Sequence, residues 1–90
     1  MNKDEAIRII DEELQSYRQK PYDELVQLID NPQKFTKTGT PFQIEIQAFW
    51  DDKPEGNLRV LGSIDDGGVR AFFPVTRDFI KSPKDEFVGE

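Results

Sequence analysis

The sequence predicts an α+β fold: two N-terminal helices packed on one face of a three- or four-stranded antiparallel β-meander, with a short C-terminal helical turn and tail. Three observations predict it. Apolar residues recur at helical spacing up to Ile29, they alternate with polar ones from Phe42 onward, and turn-forming residues separate the successive apolar runs. Ninety residues are enough for one domain, 1–90, with a small core.

The first helix starts at Asn2, a side chain that caps helix N-termini, with Glu5 at capping-box spacing. Ile7, Ile10, Leu14 and Tyr17 form its apolar stripe, and Asp4, Glu5, Asp11, Glu12 and Glu13 its solvated side. Lys20-Pro21 interrupts that helix, and proline suits the first turn of a second one carrying Tyr22, Leu25, Val26 and Ile29. Asp30-Asn31-Pro32 ends it, because the residue before proline avoids the α region.

Strand signals follow. Phe42, Ile44, Ile46, Ala48 and Trp50 alternate with Gln43, Glu45 and Gln47, the pattern of a half-buried strand. Leu58, Val60, Gly62 and Ile64 give a second strand, and Val69, Ala71 and Phe73 a third. A shorter strand over Gln33–Lys37, turning through Thr38-Gly39, carries a weaker signal. Thr76 is positioned to cap a helical turn holding Phe79 and Ile80, closed by Ser82-Pro83.

The stretch SIDDGG, residues 63–68, is read as a hairpin with Asp66-Gly67 at its centre, since type I′ turns favour Asp-Gly. That register sets Ile64 opposite Val69, Gly62 opposite Ala71, Val60 opposite Phe73 and Leu61 opposite Phe72. The same topology separates Asp51-Asp52 from Asp65-Asp66 by roughly 20 Å, at ~3.4 Å per strand residue, so the two acidic pairs cannot share a metal. Lys53 also stands where a calcium loop beginning at Asp51 requires a ligand.

The chain has no histidine and no cysteine, so the usual general base, the thiol nucleophile and the common transition-metal ligands are missing. No phosphate-binding glycine motif is present. No catalytic, cofactor-binding or metal-ligating residue is therefore nominated, and no cofactor is expected. The net charge of −6 disfavours nucleic acid and anionic membranes as partners. The N-terminus, Met1-Asn2-Lys3-Asp4-Glu5, is too acidic for a signal peptide, and the cysteine-free composition fits a cytoplasmic protein.

Trp50 opposite Leu58 and Phe49 opposite Arg59 complete the first strand pair. Phe49, Arg59, Leu61 and Phe72, with Pro74 beside them, then gather on the sheet face away from the helices. Aromatic residues with arginine are the composition of binding hot spots, which makes these four the candidate protein-interaction surface. The competing arrangement folds Phe79, Ile80, Phe87 and Val88 back over that face.

Ser63-Ile64-Asp65-Asp66-Gly67-Gly68, Asp78-Phe79-Ile80 and the closing Phe87-Val88-Gly89-Glu90 resemble small uncharacterised bacterial proteins. That resemblance covers about half the chain and implies no activity and no functional residue. The leading expectation is a small acidic, non-enzymatic protein-binding or regulatory module, engaging a protein partner or forming a homodimer through the open sheet face. Two alternatives come from other classes: a small enzyme or ligand-binding protein using carboxylates and arginine, and an acidic nucleic-acid mimic.

Overall fold

The computed structural model describes residues 2–67 and 74–90. Helix α1 spans Lys3–Arg18. The Asn2 side chain accepts a hydrogen bond from the Glu5 backbone N–H at 3.1 Å, which satisfies one of the helix's free donors. The second helix is much shorter than the first: α2 covers only Tyr22–Val26 and runs on into a 3₁₀ turn over Gln27–Ile29.

The described strands are β1 (Gln33–Thr36), β2 (Gln43–Trp50), β3 (Leu58–Asp65) and β4 (Val75–Lys81). They form one antiparallel sheet in the order β1-β2-β3-β4. The weakly signalled strand after the helices is thus real. It is short because its residues are all exposed and only the pairing to β2 holds it.

The helices cover one face of this sheet. Ile44, Ile46, Ala48, Leu58, Val60 and Ile64 project into the core, where Ala6, Ile9, Ile10, Leu14, Tyr22, Leu25 and Leu28 meet them. Alternation on the strands and 3.6-residue spacing on α1 produce this match. The stripe is wider than four residues, because Ala6 and Ile9 are buried whereas Ile7 and Tyr17 lie at its margin. Gly62 sits at the closest approach. A Cβ there would lie 2.9 Å from Ile10 Cδ1 and 3.2 Å from Leu14 Cδ2, so α1 rests directly on the β3 backbone.

The C-terminal half corrects two expectations. Residues 75–81 are a strand, not a helical turn, and they occupy the free edge of β3 with Ile64 opposite Val75 and Leu58 opposite Lys81. Ile64 has Ile44 on its other side, so the register that placed Val69 opposite Ile64 is excluded. The strand expected over 69–73 lies outside the described residues. The physical reason for the misreading is that Arg77 and Lys81 occupy inward-pointing positions of β4, which hides its alternation. Arg77 is tolerated there because its Nε donates to Asp11 of α1 at 3.0 Å.

Among the described residues Lys81 is the buried charged one, at 6% exposure. Its ammonium donates to the Lys20 carbonyl at 2.7 Å and the Arg18 carbonyl at 3.3 Å, which closes the C-terminal end of α1. Asp85 Oδ1 lies 3.4 Å from the same ammonium and accepts from the Tyr22 N–H at 2.7 Å, at the start of α2. One cation and one anion from the C-terminal segment thus fasten the corner between the two helices.

The turn after β3 is also different from the one expected. Gly67 has φ +82°, but among the described residues the non-glycine positions with positive φ are Glu55 and Asp85, so Asp66 lacks the conformation a type I′ turn needs. Instead Asp65 Oδ1 accepts from the Gly67 N–H at 2.8 Å, an Asx turn leading out of the strand. We expect Gly67→Val to cost about 1–2 kcal/mol through backbone strain alone, since the space around a Cβ there is open apart from Gln43 Nε2 at 3.8 Å. Denaturant titration checks this, and the loss should not depend on added calcium or magnesium.

Candidate interaction surface on the open sheet face

Side chains that alternate with the core residues point away from the helices. They are Lys34 and Thr36 of β1, Gln43, Glu45, Gln47 and Phe49 of β2, Arg59, Leu61, Ser63 and Asp65 of β3, and Thr76, Asp78 and Ile80 of β4. Most of this face is polar. Its apolar part is one corner, where Phe49 and Ile80 flank Arg59 across the strands and Leu61 lies two residues further along β3.

Of the four residues nominated from sequence, the fold brings three together: Phe49, Arg59 and Leu61. Phe72 lies outside the described residues, and the residue opposite Leu61 is Asp78. Pro74 is at the other end of the sheet, in a recess with Gln43, Ser63 and Asp65. Ile80 is the member that sequence alone does not reveal, because the segment after Thr76 reads as a helical turn.

Arg59 is held from both sides. Asp51 Oδ1 accepts from its Nε at 3.0 Å and its Nη2 at 2.7 Å, and Asp78 Oδ2 accepts from its Nη1. The hydrogen bond to Asp51, followed by that to Asp78, raises the guanidinium pKa above its already high ordinary value, against the opposing effect of desolvation. The cluster is therefore a fixed cation with its charge locally compensated, planar and framed by apolar groups. The two carboxylates outnumber the guanidinium by one charge, so the cluster orients a contact through its fixed planar donor and keeps a local negative excess at the rim.

The C-terminal tail does not fold over this corner. Phe87 bridges to Lys81 and meets Phe79 edge-on at 5.9 Å, on the helix side of the sheet. Arg18 lies over both rings, at 5.1 and 5.0 Å, and its Nη1 donates to the Glu90 carboxylate at 2.9 Å. Val88 donates its N–H to the Ile80 carbonyl and so extends the edge of β4. Phe49 remains 43% exposed.

The loop between β2 and β3 fixes this end of the sheet. Asp52 Oδ1 accepts from the Lys53 and Asn57 N–H groups at 2.7 and 2.8 Å. A Cβ on Gly56 would stand 2.4 Å from that oxygen, which is why glycine is required there. The Tyr22 hydroxyl donates to the Gly56 carbonyl at 2.7 Å, tying the loop to α2.

Burial raises the Tyr22 phenol pKa, and the charges of Glu55, Asp23 and Asp52 push it the same way. A phenol that holds its proton more tightly in the folded state stabilises the fold up to about pH 10 and loses that contribution as pH rises further. Tyr22→Phe should lower stability by about 1–2 kcal/mol at pH 8. The gap to the unsubstituted protein should narrow at pH 11, as read from denaturant midpoints at the two pH values.

Asp51 and Asp65 flank opposite ends of the paired strands, as the registers Trp50 with Leu58 and Gln43 with Asp65 require. Among the described residues no group of three or more acidic side chains is arranged to hold a metal, and no helix is long and apolar enough to cross a membrane. Comparison with protein-family models, curated proteins and solved structures finds no match.

Proposed function

We propose that this protein is a non-enzymatic binding module that pairs with a second copy of itself through the open sheet face, with Phe49, Leu61 and Ile80 around Arg59 as the centre of the contact. The observation that carries this reading is the apolar corner around Arg59, where Phe49 is 43% exposed, Leu61 and Ile80 are half-buried, and Asp51 and Asp78 hold the guanidinium in place.

Charge supports the choice of face. Residues 1–33 carry eight Asp/Glu against four Lys/Arg, so the helical side is the strongly acidic one. The sheet face mixes Lys34 and Arg59 with Glu45, Asp65 and Asp78, and two such faces can approach with less repulsion than any pair involving the helices.

Area sets the strength. Four strands at ~4.8 Å spacing and a strand length near 25 Å give roughly 500 Å² per partner. That reaches only about the 1,000 Å² total at which specific interfaces begin, so the association is weak and concentration-dependent. With isotope-labelled protein, the methyl resonances of Leu61 and Ile80 should shift as concentration rises, while those of Ile10 and Leu25 in the core stay fixed. Shifts confined to the helical surface would refute the assignment of this face.

A further inference from the structure

On the opposite side of β2 from Phe49, Trp50 lines a shallow recess of about 280 Å³ together with Tyr22, Asp23, Val26 and Glu55. Two aromatic rings and one valine supply its apolar wall, and two carboxylates complete the lining. Asp23 and Glu55 are exposed, and neither forms an ion pair among the described residues, whereas Glu24 on the same helix is paired with Lys20. Glu55 is held at φ +65°, a conformation that glycine or asparagine adopts with less strain.

We infer that this recess receives the ammonium group of a lysine side chain presented by a partner protein. An aromatic face attracts a cation through its quadrupole, and a carboxylate beside it adds a charged acceptor for the ammonium hydrogens. The volume suits one alkylammonium head and the last methylenes of its stem. Complementarity of charge selects the occupant: the chain carries a net charge of −6, and the carboxylates here are not neutralised from within. The field of these acids is already felt at the Tyr22 hydroxyl, where Glu55, Asp23 and Asp52 each oppose ionisation. This site is independent of the sheet-face contact, since strand alternation places Phe49 and Trp50 on opposite faces.

Trp50 is the single tryptophan, so its indole N–H gives one resolved nitrogen–proton resonance that reports on the recess alone. The full chain is titrated with a capped Gly-Lys-Gly peptide, with the same peptide acetylated on the lysine, and with tetramethylammonium. The lysine peptide should move the indole resonance saturably in the millimolar range, and the acetylated peptide should not. The double variant Asp23→Asn/Glu55→Gln should weaken the lysine peptide by roughly fivefold or more, with an unchanged thermal midpoint. Absence of a saturable shift would overturn the assignment, as would an equal shift with the acetylated peptide or an unaltered affinity in the double variant. Tighter saturation by tetramethylammonium than by the peptide would overturn the choice of a protein side chain.

Discussion

Gly62→Val should lower stability by about 3 kcal/mol, because the position lies under the centre of α1. A Cβ alone would stand 2.9 Å from Ile10 Cδ1 and 3.1 Å from Ile10 Cγ1, and valine adds two methyl groups to that space. Ile10 is fully buried and Leu14 nearly so, leaving neither side chain an empty direction to move. Overpacking of this kind costs typically 1–3 kcal/mol and sometimes more. The β-propensity gained by replacing glycine with valine returns at most about 1 kcal/mol, so the steric effect wins.

Gly62→Ala is the informative control. Its clash is offset by the reduced freedom of the unfolded chain, about 0.4–1 kcal/mol, and the net change should be small. Ile10→Val removes the nearest atom, Cδ1. Combined with Gly62→Ala it should be less destabilising than the sum of the two single changes, a coupling that thermal or denaturant unfolding of all four proteins measures.

Lys81→Met should cost about 2–4 kcal/mol. Methionine keeps the length and apolar stem of lysine, so packing is preserved and the ammonium is what disappears. Without it the Arg18 and Lys20 carbonyls lose their charged donor and Asp85 loses its cation. Hydrogen bonds from a charged group are worth about 1.5–3 kcal/mol, and a buried acceptor left unpaired adds a desolvation penalty. The exposed Arg8–Glu12 pair makes the contrast, since Arg8→Ala should change stability by no more than about 0.5 kcal/mol. Urea midpoints for both variants check the ordering.

Lys81 also shows where sequence reading stops. Periodicity revealed α1, α2, β2 and β3, and the pairing of Phe49 with Arg59 and Trp50 with Leu58 followed from matching inward residues. The same method failed at β4, because a lysine and an arginine at inward positions look like a surface segment until their partners are known. Those partners, the carbonyls ending α1 and the Asp11 carboxylate, are 61 to 66 residues away in the chain. No local signal announces such distant contacts.

The hairpin expectation failed for a related reason. Asp-Gly after an apolar run is a sound turn signal, and the Asx turn from Asp65 to Gly67 does lead the chain out of the strand. What a local motif does not encode is which later strand β3 selects. Val75 and Phe79 reach the core beside α1, and the tail bridging Lys81 to Phe87 reinforces that edge. For the candidate surface, alternation alone located Phe49, Arg59 and Leu61, whereas Ile80 and the Asp78 partner of Arg59 required the true register. Strand alternation puts Trp50 on the helix side of β2, where it lies beside Tyr22 and Val26 at the margin of the core.

Sedimentation velocity over a wide concentration series, on the unsubstituted chain and the double variant Phe49→Glu/Leu61→Lys, decides whether the open sheet face pairs with a second copy. Opposite charges at exposed Phe49 and half-buried Leu61 can reach solvent from the open face of a lone sheet but are costly inside an interface. The unsubstituted protein should rise from 10.4 kDa toward twice that mass with concentration, while the variant stays monomeric with the same circular dichroism. A mass that remains at 10.4 kDa throughout, or a folded variant that dimerises as the parent does, would contradict it.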